Sequence, residues 1–183
     1  MTTPVTREEL VDFETYREER VTYRPKVMAI KGPRRIHVGE YLTFLFENHE
    51  TIRYQVQEMM LAERIVKEAE IRHELQTYNE LLGGPGALGA SLLIEIVSEA
   101  ERNEKLTAWL ALPRHLYAKL EDGTKIRATY DPRQVGDTRL SSVHYLRFPV
   151  GGNVPVALGS DLPGLQVEAA LTQEQRAALR EDL

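Results

Sequence analysis

ETIRYQVQEMMLAERIVKEAEIRHELQTYNELLGGPG, residues 50–86, is the stretch that decides the fold. From Glu50 to Leu82 it holds no glycine or proline and is rich in alanine, leucine, glutamate, arginine and glutamine. Those residues lose little rotamer freedom in a helix, so the run predicts one helix of about nine turns, on the order of 50 Å long. The GGPG at 83–86 ends it, because glycine favours the left-handed turn that closes a helix and proline cannot continue one. This is the one place in the chain that reads as a boundary between halves.

Advancing 100° per residue from Met59 puts Tyr54, Leu61, Ala62, Ile65, Val66 and Ala69 in one broad sector with it, with Arg53, Gln57, Arg64, Lys67 and Glu68 opposite. Within this helix lies EAEIRHE, residues 68–74. Glu70 and His73 stand at the i, i+3 spacing with which carboxylate-bridged metal proteins hold iron. His73 falls in the apolar sector, Glu70 at its rim, and Glu63 and Glu74 lie further toward the polar side. A half-desolvated carboxylate pairs, shifts its pKa or binds a cation, so these four are candidate ligands for iron, manganese or zinc. A full di-iron bundle needs a second Glu-x-x-His, and the chain has none. The alternative is a solvated face on which Arg64, Lys67 and Arg72 pair with the acids.

Toward the N-terminus, Thr6 and Glu9 have capping-box spacing and predict a short helix. The following segment is helix-compatible on both sides of Pro25, which predicts a break or kink there. Ile36 and Val38 alternate, Gly39-Glu40 reads as a turn, and YLTFLF reads as a strand. Beyond the GGPG break, ASLLIEIVS reads as a strand and Ser98 caps a short helix. Asp122-Gly123 turns a hairpin, SSVHYLRFPV alternates as a strand, VPVALG and LQVEAAL suit short edge strands, and Thr172 with Gln175 caps a last helix. The fold class is therefore α+β. A helical N-terminal half, about 6–82, packs on a mainly antiparallel β-rich half, about 90–183, with a short C-terminal helix, and the whole of 1–183 is expected to be a single domain.

The 183 residues carry a formal charge of −5, with charged side chains making up 28%. That balance gives no general attraction to nucleic acid or to an anionic membrane. The absence of cysteine removes disulfides, thiolate metal sites and cysteine nucleophiles and fits the cytoplasm. No apolar run approaches the roughly 20 residues that span a bilayer, and the first residues lack the apolar core of a secretory signal. Residues 17–37 hold seven basic residues against two acids, whereas 50–82 hold seven acids against four bases. The economical interpretation lays the basic segment along the acidic helix; the other makes it a docking site for an acidic partner or a phosphate. KGPRR lacks the glycine pattern of a phosphate loop, and Ser141 and Ser142 lack the glycines of a nucleophile elbow. Of the remaining histidines, His37, His49, His115 and His144 make no zinc spacing, and Trp109 reads as core.

Phe46-Glu47-Asn48, followed by Thr51, Gln55, Glu58, Met59 and Glu63, together with LLIEIVSEAERNEKL and SSVHYLRF, resembles a bacterial family known as a domain of unknown function. The resemblance runs from about residue 10 to 150. It implies a chain often encoded beside rubrerythrin-like and iron–sulfur proteins, hence a setting in redox or peroxide metabolism with a redox or metalloprotein partner. It also draws attention to Glu47, Asn48, Gln55 and Glu58 as a polar network reaching across to the arginines of residues 20–35, Arg34 and Arg35 included. Asn48 would cap the long helix. Ile71, Tyr78 and Leu82 fall on another side of that helix from the first stripe, which suggests an oligomer or partner surface. The functional expectation is a non-catalytic accessory or interaction protein, with a metal-binding protein and a small-molecule sensor as alternatives. The sensor's pocket would lie between the helical and β-rich halves.

Overall fold

Asp12 starts the first long element of the chain, whose residues 3–183 are described by a computed structural model. Its carboxylate accepts from the Glu14 and Thr15 amides and caps α1, Phe13–Lys31. Upstream, Thr6 opens only a 3-10 turn, Arg7–Glu9. Pro25 neither breaks α1 nor divides it. The carbonyl that Pro25 deprives of a donor belongs to Val21, which is 79% exposed, so water can replace the lost bond.

The predicted nine-turn helix is two helices, α2 at His49–Glu63 and α3 at Glu68–Asn79. Arg64 adopts a left-handed conformation, φ 52° and ψ 46°, and its amide bonds Met60 O. The Ile65 amide bonds the same carbonyl at 3.0 Å, and the buried Ile65 and Met60 side chains join one apolar cluster. This double closure is the ending usually built on glycine. A buried β-branched side chain compensates for the strain that arginine brings.

Arg35–Val38 (β1) and Leu42–Phe46 (β2) form a hairpin about Gly39 and lie between α1 and α2 in sequence. They do not stay with the helices. Strand β2 pairs with β3 (Leu88–Ile94) in antiparallel register from Leu42↔Ile94 to Phe46↔Ala90, and β3 pairs with β6 (Val143–Phe148). The Gly83–Gly86 break is thus a tight reversal that returns the chain to the sheet. A Cβ on Gly89 would lie 1.9 Å from Leu81 O, and one on Gly83 2.2 Å from Ala87 O. Only glycine lets the end of the helical segment rest so closely on β3.

The second sheet has the order β5-β4-β7-β8, from Leu116–Lys119 (β4), Lys125–Arg127 (β5), Ala157–Leu162 (β7) and Leu165–Ala170 (β8). Strand β7, expected at an edge, is internal, flanked by β4 and β8. Its inner position follows from its burial, since four of its first residues, Ala157 to Ser160, are buried. The two antiparallel sheets share one core: Phe44, Leu92 and Phe148 from the first meet Ala118 and Leu158 from the second. Leu106 of α4 (Glu99–Ala108), Trp109, Leu112 of the short α5 (Leu112–His115) and Leu179 of α6 (Gln173–Asp182) complete it. A smaller cluster holds the helices together through Val5, Leu10, Ile52, Val56, Met60, Ile65 and Ile71. Ile71 is buried in this cluster, and Tyr78 and Leu82 pack against it partly buried. No helix among the described residues is long and apolar enough to cross a membrane.

Candidate functional site

The polar network expected around residues 47–58 exists, but as separate pieces. On the seam between α1 and α2, Arg20 grips the Glu58 carboxylate with Nε at 2.7 Å and Nη2 at 3.0 Å, and Tyr16 donates to it at 2.7 Å. Burial works to raise the Glu58 pKa, but the hydrogen bonds from Arg20 and Tyr16 outweigh it and hold the carboxylate below its usual range. Tyr23 donates to Glu50 at 3.2 Å, and Lys31 sits over the Tyr54 ring. The basic segment therefore does lie along α2. Gln55, half-buried on α2, contributes no hydrogen bond to these groups among the described residues.

Asn48 caps α2, its side-chain oxygen accepting from the Thr51 amide at 3.0 Å. Its amide nitrogen donates to Asp182 at 3.2 Å. Asp182 is the acceptor for Arg34, through Nε and Nη2 at 2.8 Å each, and both side chains are 4% exposed. Arg34 thus ties α6 to the end of α1 rather than reaching α2. Glu47 is pushed up by burial and accepts from the Thr51 hydroxyl. Arg35 turns the other way, to Glu95 at 3.3 Å, an acceptor that Thr43 shares.

The four candidate metal ligands are not brought together. The break at Arg64 resets the helical phase, so His73, placed in the apolar sector by continuous winding, is exposed on α3, and so are Glu63 and Glu70. Glu70 pairs with Lys67 at 3.3 Å, while the neighbouring Glu68 pairs with Arg72 and with Arg7 at 3.0 Å. Glu74 is half-buried. Among the described residues no three histidine or acidic side chains are grouped as a metal site would need. The solvated, salt-bridged face is what the geometry shows.

The other histidines serve the fold. His49 faces Thr3 O and the Glu9 carboxylate, fastening the N-terminal segment to α2. His115 joins Arg127 on Asp161, which the Arg127 guanidinium above all holds far below the usual carboxylate range. His144 is fully buried with Nε2 2.9 Å from Ser141 O, and burial lowers its pKa.

The feature that local sequence patterns did not reveal is a cleft of about 580 Å³ between the end of α3 and the edge of the first sheet. Its floor is β6, whose pattern puts Leu146 and Phe148 in the core and turns Tyr145 and Arg147 outward. One wall is Thr77, Tyr78, Glu80, Leu81 and Leu82; the other comes from the segment between Thr129 and Gln134. That segment is fastened to β6 by two backbone bonds between Thr129 and Arg147, at 2.7 and 2.8 Å. Gln134 continues the ladder, accepting from the Tyr145 amide at 2.7 Å and donating to its carbonyl at 3.3 Å.

The Arg147 guanidinium has no ion pair or hydrogen bond among the described residues, and neither do the hydroxyls of Tyr78, Tyr130 and Tyr145. Asp131, also in the lining, is neutralised by Arg133, whose hydrogen bond holds its carboxyl below the usual range. A free guanidinium, three free phenol groups and leucine side chains in one concavity can grip an anionic group and cover an apolar or planar body.

A family described as a protein of unknown function (DUF3501) matches residues 4–183, and so extends past residue 150 where the resemblance in the sequence fades. A solved structure of a protein of unknown function from Burkholderia pseudomallei is similar at 30% identity, with a TM-score of 0.90 over 99% of this chain and all of that one. No curated protein matches.

Proposed function

The chain belongs to the DUF3501 family, whose description assigns no activity, and from its own side chains we propose that it is a non-catalytic binding protein for a small organic anion, held in the cleft between α3 and β6. The observation that carries this reading is the unpaired Arg147 at the floor of that cleft, beside three tyrosines with free hydroxyls. The volume lies within the roughly 300–1,000 Å³ usual for small-molecule sites. Arg147 supplies the fork that recognises a carboxylate or phosphate, and the tyrosines supply rigid faces and hydroxyl donors. The site sits where the helical and β-rich parts meet, the position expected for a sensor's pocket. The redox setting and the metalloprotein partner expected earlier come with the family resemblance and rest on it alone, whereas the expected oligomer surface rested on the helical placing of Ile71, Tyr78 and Leu82.

A thermal-shift panel of aromatic and aliphatic carboxylates and phosphate monoesters, followed by calorimetry on the hits, tests the proposal. At least one compound should bind saturably, and Arg147→Gln should weaken it by about tenfold or more, the loss expected for a charge-assisted hydrogen bond. A panel without a hit, or a hit that Arg147→Gln binds equally well, overturns it.

A further inference from the structure

A second pocket, of about 450 Å³, lies between α6, the Glu121-Asp122 turn and the Gly152–Val154 loop. Arg176 and Arg180 enter it from α6 one turn apart, on the same helix face. The Arg176 Nε is buried and has no hydrogen-bond partner. Arg180 likewise has no acceptor among the described residues. Two like charges at this spacing repel, and no acid is bonded to either guanidinium among the described residues, so the pair calls for an anion that the chain itself does not supply. The nearby acids do not fill the role. Asp122 accepts from the Thr124 amide at 2.8 Å, and that bond holds its carboxyl below the usual range, while Glu121 is exposed on the hairpin turn.

We infer that this pocket binds a small oxyanion, a carboxylate or phosphate group, between Arg176 and Arg180. It shares no residue with the cleft at Arg147 and stands independently of the function proposed there. The Arg176 Nε is closed to solvent, so the group is met by the two terminal nitrogens of the guanidinium, whose N–H bonds match two oxygens of an oxyanion. Arg180 supplies a second charge from the next turn. Glu121 and Asp122 at the same pocket make it close to neutral overall, which suits a singly charged group better than a dianion.

Arginine-detected NMR on the full chain reads this directly, because a buried Nε–H gives its own slowly exchanging signal. Titration with acetate and, separately, with inorganic phosphate should move the Arg176 Nε signal saturably in at least one arm, and the arm that responds identifies the source of the group. Sodium chloride at matched ionic strength should not reproduce the shift. Arg176→Lys, which keeps the charge but removes the paired terminal donors, should weaken the effect about tenfold as read on the Gly152 and Asn153 amides. Arg180→Gln gives a second variant should the first perturb α6. No saturable shift in either arm, a shift equalled by chloride, or full binding in both variants overturns the assignment.

Discussion

Arg34 and Asp182 lie 148 residues apart in sequence and form the most buried ion pair among the described residues. Taking two charges out of water is costly, and here the cost is offset by geometry: two parallel bonds between the pair, and further donation from Arg34 to Ile30 O and Ala178 O. Removing one partner leaves the other charged and buried. Asp182→Ala should therefore destabilise the protein by about 3–5 kcal/mol, whereas the double variant Arg34→Met/Asp182→Leu should recover most of that loss. Urea unfolding followed by the fluorescence of Trp109, the only tryptophan, measures both. A single variant within about 1 kcal/mol of the parent would mean that the pair is solvated in solution. The sequence marked Arg34 as one of a basic cluster, and charge balance assigned that cluster to the acidic helix. Arg20 obeyed that rule; Arg34 did not, because its partner comes from the far end of the chain and pairing over such a distance leaves no local pattern.

At the scale of the element, signals with a local mechanism were legible. Ser98 and Thr172 cap α4 and α6 by accepting from the amides three residues on, and Asp122-Gly123 turns its hairpin with Gly123 at φ 87°. The ending of α2 was not legible, because Arg64 stands where glycine is usual and nothing in the composition of residues 50–82 marks a stop. Winding the helix straight through that hidden reversal is why His73 was read as inward, although Lys67 and Glu68 were rightly placed on the polar side. The reversal also makes a prediction. A non-glycine residue in the left-handed region carries roughly 1 kcal/mol of strain. Arg64→Gly should relieve most of it, offset by the greater freedom glycine has in the unfolded chain, for a net gain of about 0.5 kcal/mol and a small rise in Tm. Arg64→Val should lower Tm instead, since a β-branched residue fits that region worst. If both variants melt like the parent, the α2–α3 junction is not fixed in this conformation. The Arg147 cleft was illegible for a related reason: alternation in β6 picked out His144, Leu146 and Phe148 as core-side, but the walls that turn the opposite face into a pocket come from residues 77–82 and 129–134.

For the whole molecule, the decisive question is whether Gly83–Gly86 separates two folding units, as its composition suggests. Strand β2 lies before that break and β3 after it, and five paired positions join them. Without β3, the β1–β2 hairpin would expose Ile36, Phe44 and Phe46, each at most 2% exposed in the intact chain, and an isolated hairpin is marginal in water. Without residues before the break, the first sheet would keep only β3 and β6, and the shared core would lose one side. The helical cluster is bound to the same unit by the Leu81–Gly89 contact and the Arg34–Asp182 pair. Residues 1–84 and 85–183 expressed apart should therefore each give poorly dispersed amide spectra, and mixing them should restore dispersion at least in part. The intact chain should unfold in one transition, with Trp109 fluorescence, which reports the β core, coinciding with far-UV circular dichroism, which is dominated by the helices. Two separated transitions, or a well-dispersed spectrum from either fragment alone, would show that the helical and β-rich parts are independent and that the sheet pairing across the break is dispensable.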